Sequence, residues 1–333
     1  MTSLPPSHSM PEIPAAAAAG VQPVRLLGSG STAHVYLAYD QGGRQVALKV
    51  LLPAAARQDN PGAAEMFANE VRMTLQLRHT HLVRGYSGQA YGEGAYLTLE
   101  YFPEGSLDGQ LTAGAPLPLE RGAGILHGVA AGLHYMHGQG AVHQDVKTQN
   151  VYLDGNRAVL ADFGASYMIA QGGRAGGSPF YMAPEIYRGE GGTAASDVYS
   201  LGVLGYEVLA GQRPFRAESY EDLMGEHLLT AAPALSHIAP QVPRSLARLL
   251  QRALAKAPAD RPGLDELLEA LAEAAGNQSP APAGTATEKG VTESGVRLGR
   301  HAAAPAPECR AADEPASGLF SRWNPFRKKG GPS

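Results

Sequence analysis

HQDVKTQN, residues 143–150, packs His143, Asp145, Lys147 and Asn150 into eight positions and sets Gln144 between the imidazole and the carboxylate. What chemistry needs that grouping depends on what flanks it. Immediately upstream, GILHGVAAGLHYMH has helical spacing, and from Leu119 onward SDVYSLGVLGYEVLAG, PRSLARLLQRAL and LDELLEALAEA continue in the same period. Further upstream, VRLLGSG, AHVYLAYD and QVALKVLL read as three strands parted by glycine-containing turns. Between them and the strand YLTLEYF, the segment AEMFANEVRMTLQL is helical, with Met66, Phe67, Val71, Leu75 and Leu77 on its apolar side. Strands early and helices late predict an α+β chain with two lobes.

Composition bounds the rest. A chain of 333 residues with 44% hydrophobic content can bury a substantial core. A formal charge of −4 supplies no global attraction to nucleic acid, which is not expected as a partner. One cysteine, Cys309, excludes an intramolecular disulfide or a cysteine-based metal cluster within one chain and fits a reducing compartment. The most apolar stretch, residues 200–211, is short for a membrane span and contains Glu207. With no charged region ahead of the N-terminal alanine run, a soluble cytoplasmic protein without a cleaved signal is expected. Residues 1–20 and 273–333 are rich in Ala, Pro, Gly and Ser without a sustained apolar period, so both are expected to be flexible.

Leu27-Gly28-Ser29-Gly30-Ser31-Thr32-Ala33-His34-Val35 sits between two strands, a strand-turn-strand flap rather than the strand-turn-helix of a dinucleotide site. Its glycines would let backbone amides approach phosphate oxygens, although an ordinary hairpin turn has the same look. Lys49 stands on the next strand, beneath that flap, and Glu70 on the following helix is its natural partner. Each alone also reads as a solvated charge.

Taken together, GSGSTAHV, VALK, HQDVKTQN, Asp162-Phe163-Gly164 and Ala183-Pro184-Glu185 stand in the order of the motifs of eukaryotic-type protein kinases, which the chain resembles over about residues 21–272. The resemblance implies a bilobal fold, with an N-lobe at about 21–101 and a C-lobe at about 102–272. It implies ATP and Mg²⁺, with Mn²⁺ as a substitute, and protein substrates. Asp145 looks like the carboxylate that orients and deprotonates the acceptor hydroxyl, and Lys147 like the cation beside the transferring phosphoryl. Asn150 and Asp162 resemble the oxygen ligands of a hard divalent cation. Lys49 with Glu70 would hold the phosphates, while His143 packs on Phe163. Leu27, Gly28, Gly30, Val35, Ala47 and Tyr152 would enclose the nucleotide, and Glu100 and Phe102 would offer backbone groups to adenine.

The lysine after Asp145 is similar to that of the serine/threonine branch, where Ser178 takes the place of a substrate-positioning threonine. Glu185 with Arg261, and Asp197 behind the catalytic loop, look like structural fixtures. Composition and plan look bacterial. The sequence departs from the pattern at Ala33, where a third glycine is usual, at Thr74, where an apolar spine residue is usual, and at Gln144, where an arginine normally meets an activation-segment phosphate. The segment 162–184 offers only Ser166, Tyr167, Ser178 and Tyr181 as hydroxyls, so activity without activation-segment phosphorylation is expected.

Two other features have more than one account. His134 and His137 lie one helical turn apart, but no carboxylate or thiol adjoins them in sequence, so they read as the end of a lobe helix rather than a metal site. Phe320, Trp323 and Phe326, mixed with Arg322, Arg327, Lys328 and Lys329, suit either an anionic membrane or a protein partner. A pseudokinase scaffold is the alternative function; a small-molecule phosphotransferase conflicts with the Ala-Pro-Glu segment and Arg261.

Overall fold

The structure, a computed structural model, describes residues 13–53, 61–92, 94–168 and 177–276. The C-terminal aromatic and basic residues and Cys309 lie outside the described residues.

The N-lobe is a five-stranded antiparallel sheet in the order β1 (Gln22–Ser29), β2 (Ala33–Tyr39), β3 (Gln45–Leu51), β5 (Tyr96–Glu100), β4 (Gly85–Gln89). Its two faces follow from the two-residue side-chain period of β3. Leu51 joins Phe67 and Val71 of helix α2 (Pro61–Gln76) in one apolar layer, with Leu97 from β5. Val46 and Leu48 point to the opposite face, where Ala38 and Tyr96 accompany them.

That second face is covered by α1 (Pro14–Ala19), and here the expectation that residues 1–20 are flexible is corrected for residues 13–20, the part the structure describes. Ala15 and Ala16 are buried, and the Tyr96 hydroxyl donates to the Ala18 carbonyl at 3.2 Å. Alanine favours the helix and is small enough to lie close on the sheet, while Pro14 opens the turn and Gly20, at φ 66°, closes it. Six residues are too few to hold a helix in isolation, so α1 depends on this packing.

The C-lobe is built on α3 (Leu119–Gly138), followed by the short β6 (Ala141–Val142), the hairpin β7 (Val151–Asp154) and β8 (Arg157–Leu160), and β9 (Tyr167–Met168) paired to β6. Then come α4 (Pro184–Tyr187), α5 (Ala194–Ala210), α6 (Tyr220–Leu229), α7 (Leu235–Ile238), α8 (Arg244–Ala253) and α9 (Leu264–Ala274). Helix α5 is buried on nearly every side from Ser196 to Leu209, as its all-round apolar sequence requires of a central helix. Helix α9 packs on α3 and reaches past residue 272, with Ala274 buried, so the boundary expected at 273 falls inside it.

The lobes are joined behind the cleft by backbone. The Leu160 N–H donates to the His81 carbonyl and the Val83 N–H to the Leu160 carbonyl, both at 2.9 Å, so the segment after α2 is stitched to β8. Among the described residues no helix is long and apolar enough to cross a membrane.

Candidate active site

Strand register assembles the N-lobe half of the site. Gly28 pairs with Val35, Val35 with Lys49 and Lys49 with Leu97, so the flap glycine, an apolar side chain and the lysine form one cross-strand row. Ala33 is buried at the base of the flap, which explains an alanine at that position, and the Gly30 N–H closes the turn on its carbonyl at 2.9 Å.

From the row, Lys49 Nζ reaches both carboxylate oxygens of Glu70 at 2.6 Å and stands 3.8 Å from Asp162 Oδ1. Burial alone would lower the ammonium's pKa, but the Asp162 and Glu70 carboxylates outweigh it and hold Lys49 charged, above the ordinary lysine range. Burial pushes Glu70 up while Lys49 pulls it down; with both oxygens on Nζ, the ionised pair is the state that satisfies both groups. Asp162 is held below the usual carboxylate range, chiefly by Lys49.

The catalytic-loop half turns on Asp145. Lys147 Nζ donates to its Oδ2 at 2.5 Å, the Ser178 hydroxyl donates to its Oδ1 at 2.8 Å, and Lys147 also donates to Ser178 Oγ at 2.8 Å. Asn150 Nδ2 donates to the Asp145 carbonyl and to its Oδ2, at 2.8 and 3.0 Å, which leaves the amide oxygen of Asn150 as the atom available to a cation.

Among the described residues two non-glycine ones have left-handed backbone, Gln144 at φ 69° and Asp162 at φ 68°, a conformation costing about 1–3 kcal/mol unless its surroundings impose it. At Gln144 the imposing group is Asp197, whose carboxylate accepts the His143 and Gln144 amides and the His137 ring nitrogen, each at 2.8 Å. At Asp162 it is the fully buried Phe163, which meets the His143 ring edge-on at 5.5 Å. The His143 Nε2 lies 3.2 Å from the Ala161 carbonyl, to which only an N–H can bond, so Nδ1 accepts from the Asp145 amide. Burial pushes the His143 pKa down against the pull of Asp197, Asp145 and Asp162. Both ring nitrogens are thus engaged in holding the loop.

His134 and His137 each meet a carboxylate the sequence did not suggest: His134 is 3.1 Å from Asp265 and His137 joins Asp197. The two histidines face different partners, and no metal-binding cluster of His, Cys, Asp and Glu occurs among the described residues. Thr74 is buried within α2.

At the adenine end, Phe102 and Tyr152 lie 5.4 Å apart, Ala47 is buried, and Leu27 and Val35 are half-buried in β1 and β2. Glu100 ends β5 with its side chain turned to Arg157 at 2.5 Å. Glu185 and Arg261 form a doubly hydrogen-bonded ion pair at 2.7 Å, 2% and 1% exposed. Sequence reasoning missed Asn69, beside Glu70. Its amide donates to the carbonyls of Phe163, Gly164 and Ser166, tying α2 to the Asp-Phe-Gly segment. Its only signal was its place next to Glu70.

A family profile for the protein kinase domain matches residues 21–271. The chain belongs to the protein kinase family. This kinase domain is 36% identical over 267 residues to the serine/threonine-protein kinase pkn2 of Myxococcus xanthus, covering 75% of this chain and 32% of that protein. It is 32% identical over 257 residues to the serine/threonine-protein kinase PrkC of Bacillus subtilis, covering 75% and 39%, and 33% identical over 249 residues to the serine/threonine-protein kinase PknD of Mycobacterium tuberculosis, covering 72% and 37%. The chain therefore spans about a third of the length of these relatives.

Proposed function

We propose that this kinase domain transfers the γ-phosphoryl group of ATP to serine or threonine hydroxyls of proteins, its own chain included. The observation that carries the proposal is the Asp145–Lys147–Ser178 ring beside Asn150, Asp162 and the Lys49–Glu70 pair. Asp145 would orient the acceptor hydroxyl and take its proton, with Lys147 holding charge on the transferring group. Ser178 fixes the carboxylate that does so. An ionised Asp162 and the Asn150 amide oxygen are hard donors and fit a divalent cation such as Mg²⁺, which when bound would neutralise phosphate charge. Names given to relatives, the Asp145–Lys147 spacing and Ser178 favour a serine/threonine acceptor, and the Glu185–Arg261 pair speaks against a small-molecule one.

Activity without activation-segment phosphorylation belongs to the same proposal. Ser166 donates to the His143 carbonyl, Tyr167 to the Gly192 carbonyl, Ser178 to Asp145 and Tyr181 to Glu207, so each hydroxyl of the segment serves an internal bond. Gln144 is 8% exposed, and a Cβ on Gly192 would collide with its amide nitrogen. The cavity beside it, lined by Met182, Ala183, Ile186, Ser196 and Ser200, measures about 10 Å³. That is at the lower limit for one water, and among the described residues none that lines it is a cation.

The test is phosphate transfer from labelled ATP with Mg²⁺ to a generic protein. Asp145→Ala should lower turnover on the order of a hundredfold or more, and Lys49→Met should abolish labelling. Complete phosphatase treatment should leave turnover unchanged. A wild-type protein no faster than Asp145→Ala would make the domain a binding scaffold instead. Loss of turnover after phosphatase, with the fold intact, would refute phosphorylation independence alone.

A further inference from the structure

The strand that leads into the inter-lobe hinge is fastened to the C-lobe by a side chain outside every motif. Arg157, on β8, donates from Nη2 to Glu100 Oε1 at 2.5 Å and to Asp154 Oδ2 at 2.9 Å, and from Nη1 to the Thr80 carbonyl at 3.3 Å. Its guanidinium also lies over the Phe102 ring, 5.7 Å from the centroid. The other neighbour of Phe102 is Tyr152, on the partner strand of the same hairpin, which pairs with Val159 two residues from Arg157. One cation therefore joins the end of β5, the hinge ring, the segment after α2 and the hairpin that carries the apolar floor.

We infer that Arg157 is a positioning residue for the adenine end of the nucleotide site. The inference rests on the nucleotide-binding function proposed above. Adenine would be read by backbone at Glu100 and Phe102 against the floor at Tyr152, and those groups lie on separate chain segments. Backbone bonds tie residues 81–83 to β8 and Gly105 to Leu153, and Arg157 adds the side-chain tether that holds the end of β5 and the Phe102 ring to the same hairpin. Glu100 is the anchor point of that tether: its backbone N–H donates to the Arg84 carbonyl at 2.9 Å and its side chain receives Arg157. The fork geometry matters as much as the charge, since several acceptors and a ring face must be met at once, which a lysine ammonium cannot do. The phosphate end of the site, at Lys49, has no contact with this cluster among those described.

Two probes separate a positioning role from general damage: the non-hydrolysable ATP analogue AMP-PNP with Mg²⁺, and inorganic tripolyphosphate, which has no base. Arg157→Ala should weaken AMP-PNP binding about tenfold, the effect of losing a hydrogen bond to a charged group, and raise KM for ATP with little change in kcat. Its affinity for tripolyphosphate should stay at the wild-type value. Glu100→Gln should weaken AMP-PNP binding by no more than Arg157→Ala does, and the double variant should lose no more than Arg157→Ala alone, because the Glu100 contact is one of those the arginine makes. Arg157→Lys should recover little. AMP-PNP binding by Arg157→Ala within twofold of wild type, equal losses for both probes, or additive losses in the double variant would overturn the inference. A wild-type protein that binds neither probe would overturn the kinase proposal itself, and this inference with it.

Discussion

Replacing Arg261 by alanine should destabilise the C-lobe more than any surface change, for a reason that can be followed atom by atom. Arg261 gives Nη1 and Nη2 to the two oxygens of Glu185 at 2.7 Å, Nη1 to the Ala195 carbonyl at 2.8 Å and Nε to the Ala255 carbonyl at 3.0 Å. With the arginine gone, Glu185 keeps the Ser196 hydroxyl at 2.7 Å but remains a buried, uncompensated carboxylate. Breaking such a pair from one side costs about 3–5 kcal/mol. At 2–4 °C per kcal/mol for a domain of this size, Tm should fall by roughly 6–20 °C. Calorimetry measures this directly, and Arg261→Met/Glu185→Gln is the decisive control. A neutral pair of similar volume removes the orphan charge and should recover most of the loss.

The sign of the pH dependence follows from Glu185, whose pKa burial would raise but the Arg261 guanidinium holds below its ordinary value of 4.5. A carboxyl depressed in the folded state adds stability above its unfolded pKa and loses it as pH falls through the folded one. Without the arginine, burial raises the Glu185 pKa instead, so the difference between wild type and Arg261→Ala should shrink as pH falls, beginning above 4.5 and continuing below it. A destabilisation at neutral pH under about 1 kcal/mol, or a double variant less stable than the single one, would refute the assignment of the cost to a buried unpaired charge.

Three further outcomes are expected. Ser178→Ala should lower kcat about tenfold while Ser178→Thr retains it, because the lost hydroxyl bonds a carboxylate and an ammonium; equal losses in the two would show that the bond is not what matters. Asn69→Asp should reduce turnover more than Asn69→Ala, since a carboxylate would face three carbonyls it cannot donate to, and steady-state kinetics of the pair decide it. His227 is buried with Nδ1 on the Tyr199 hydroxyl at 2.8 Å and Nε2 without a partner among the described residues, and burial lowers its pKa from 6.5 to about 3. Unfolding therefore takes up a proton between those values, and stability falls with decreasing pH by up to ~1.4 kcal/mol per unit. The double variant Tyr199→Phe/His227→Phe should show a flatter acid limb in a Tm series from pH 7 to 4.5, and an unchanged limb would sink the assignment.

Most of the cleft was legible because its groups are spaced by local rules. Lys49 and Glu70 fall on a strand and a helix whose periods are visible, and Asp145, Lys147 and Asn150 share one loop. What escaped depends on contacts between distant segments. Helix α1 buries only two alanines, which leave no apolar period in a run of alanines. Asn69 acts through three carbonyls about a hundred residues away, and Arg157 through a glutamate at a separation of 57. The bond from His137 to Asp197 spans 60 residues and places an imidazole behind the catalytic loop. Tertiary structure alone brings such pairs within reach.

Gln144 shows what its neutrality does for the loop. An arginine at this position, 8% exposed, would be a buried charge in need of a carboxylate or a phosphate. The carboxylates nearby are committed, Asp197 to the His143 and Gln144 amides and to His137, and Glu185 to Arg261 and Ser196. A longer, branched side chain would also press on Gly192, which the glutamine amide already approaches closely. Gln144→Arg should therefore lower turnover severalfold in dephosphorylated protein, by drawing Asp197 away from the amides that hold the left-handed turn. A buried charge left without its partner costs about 3–5 kcal/mol, enough to displace the loop. Steady-state assay of the phosphatase-treated variant decides it: full activity in Gln144→Arg would mean that the loop is held by Asp197 whatever side chain follows His143, and that the neutral amide is incidental to phosphorylation independence.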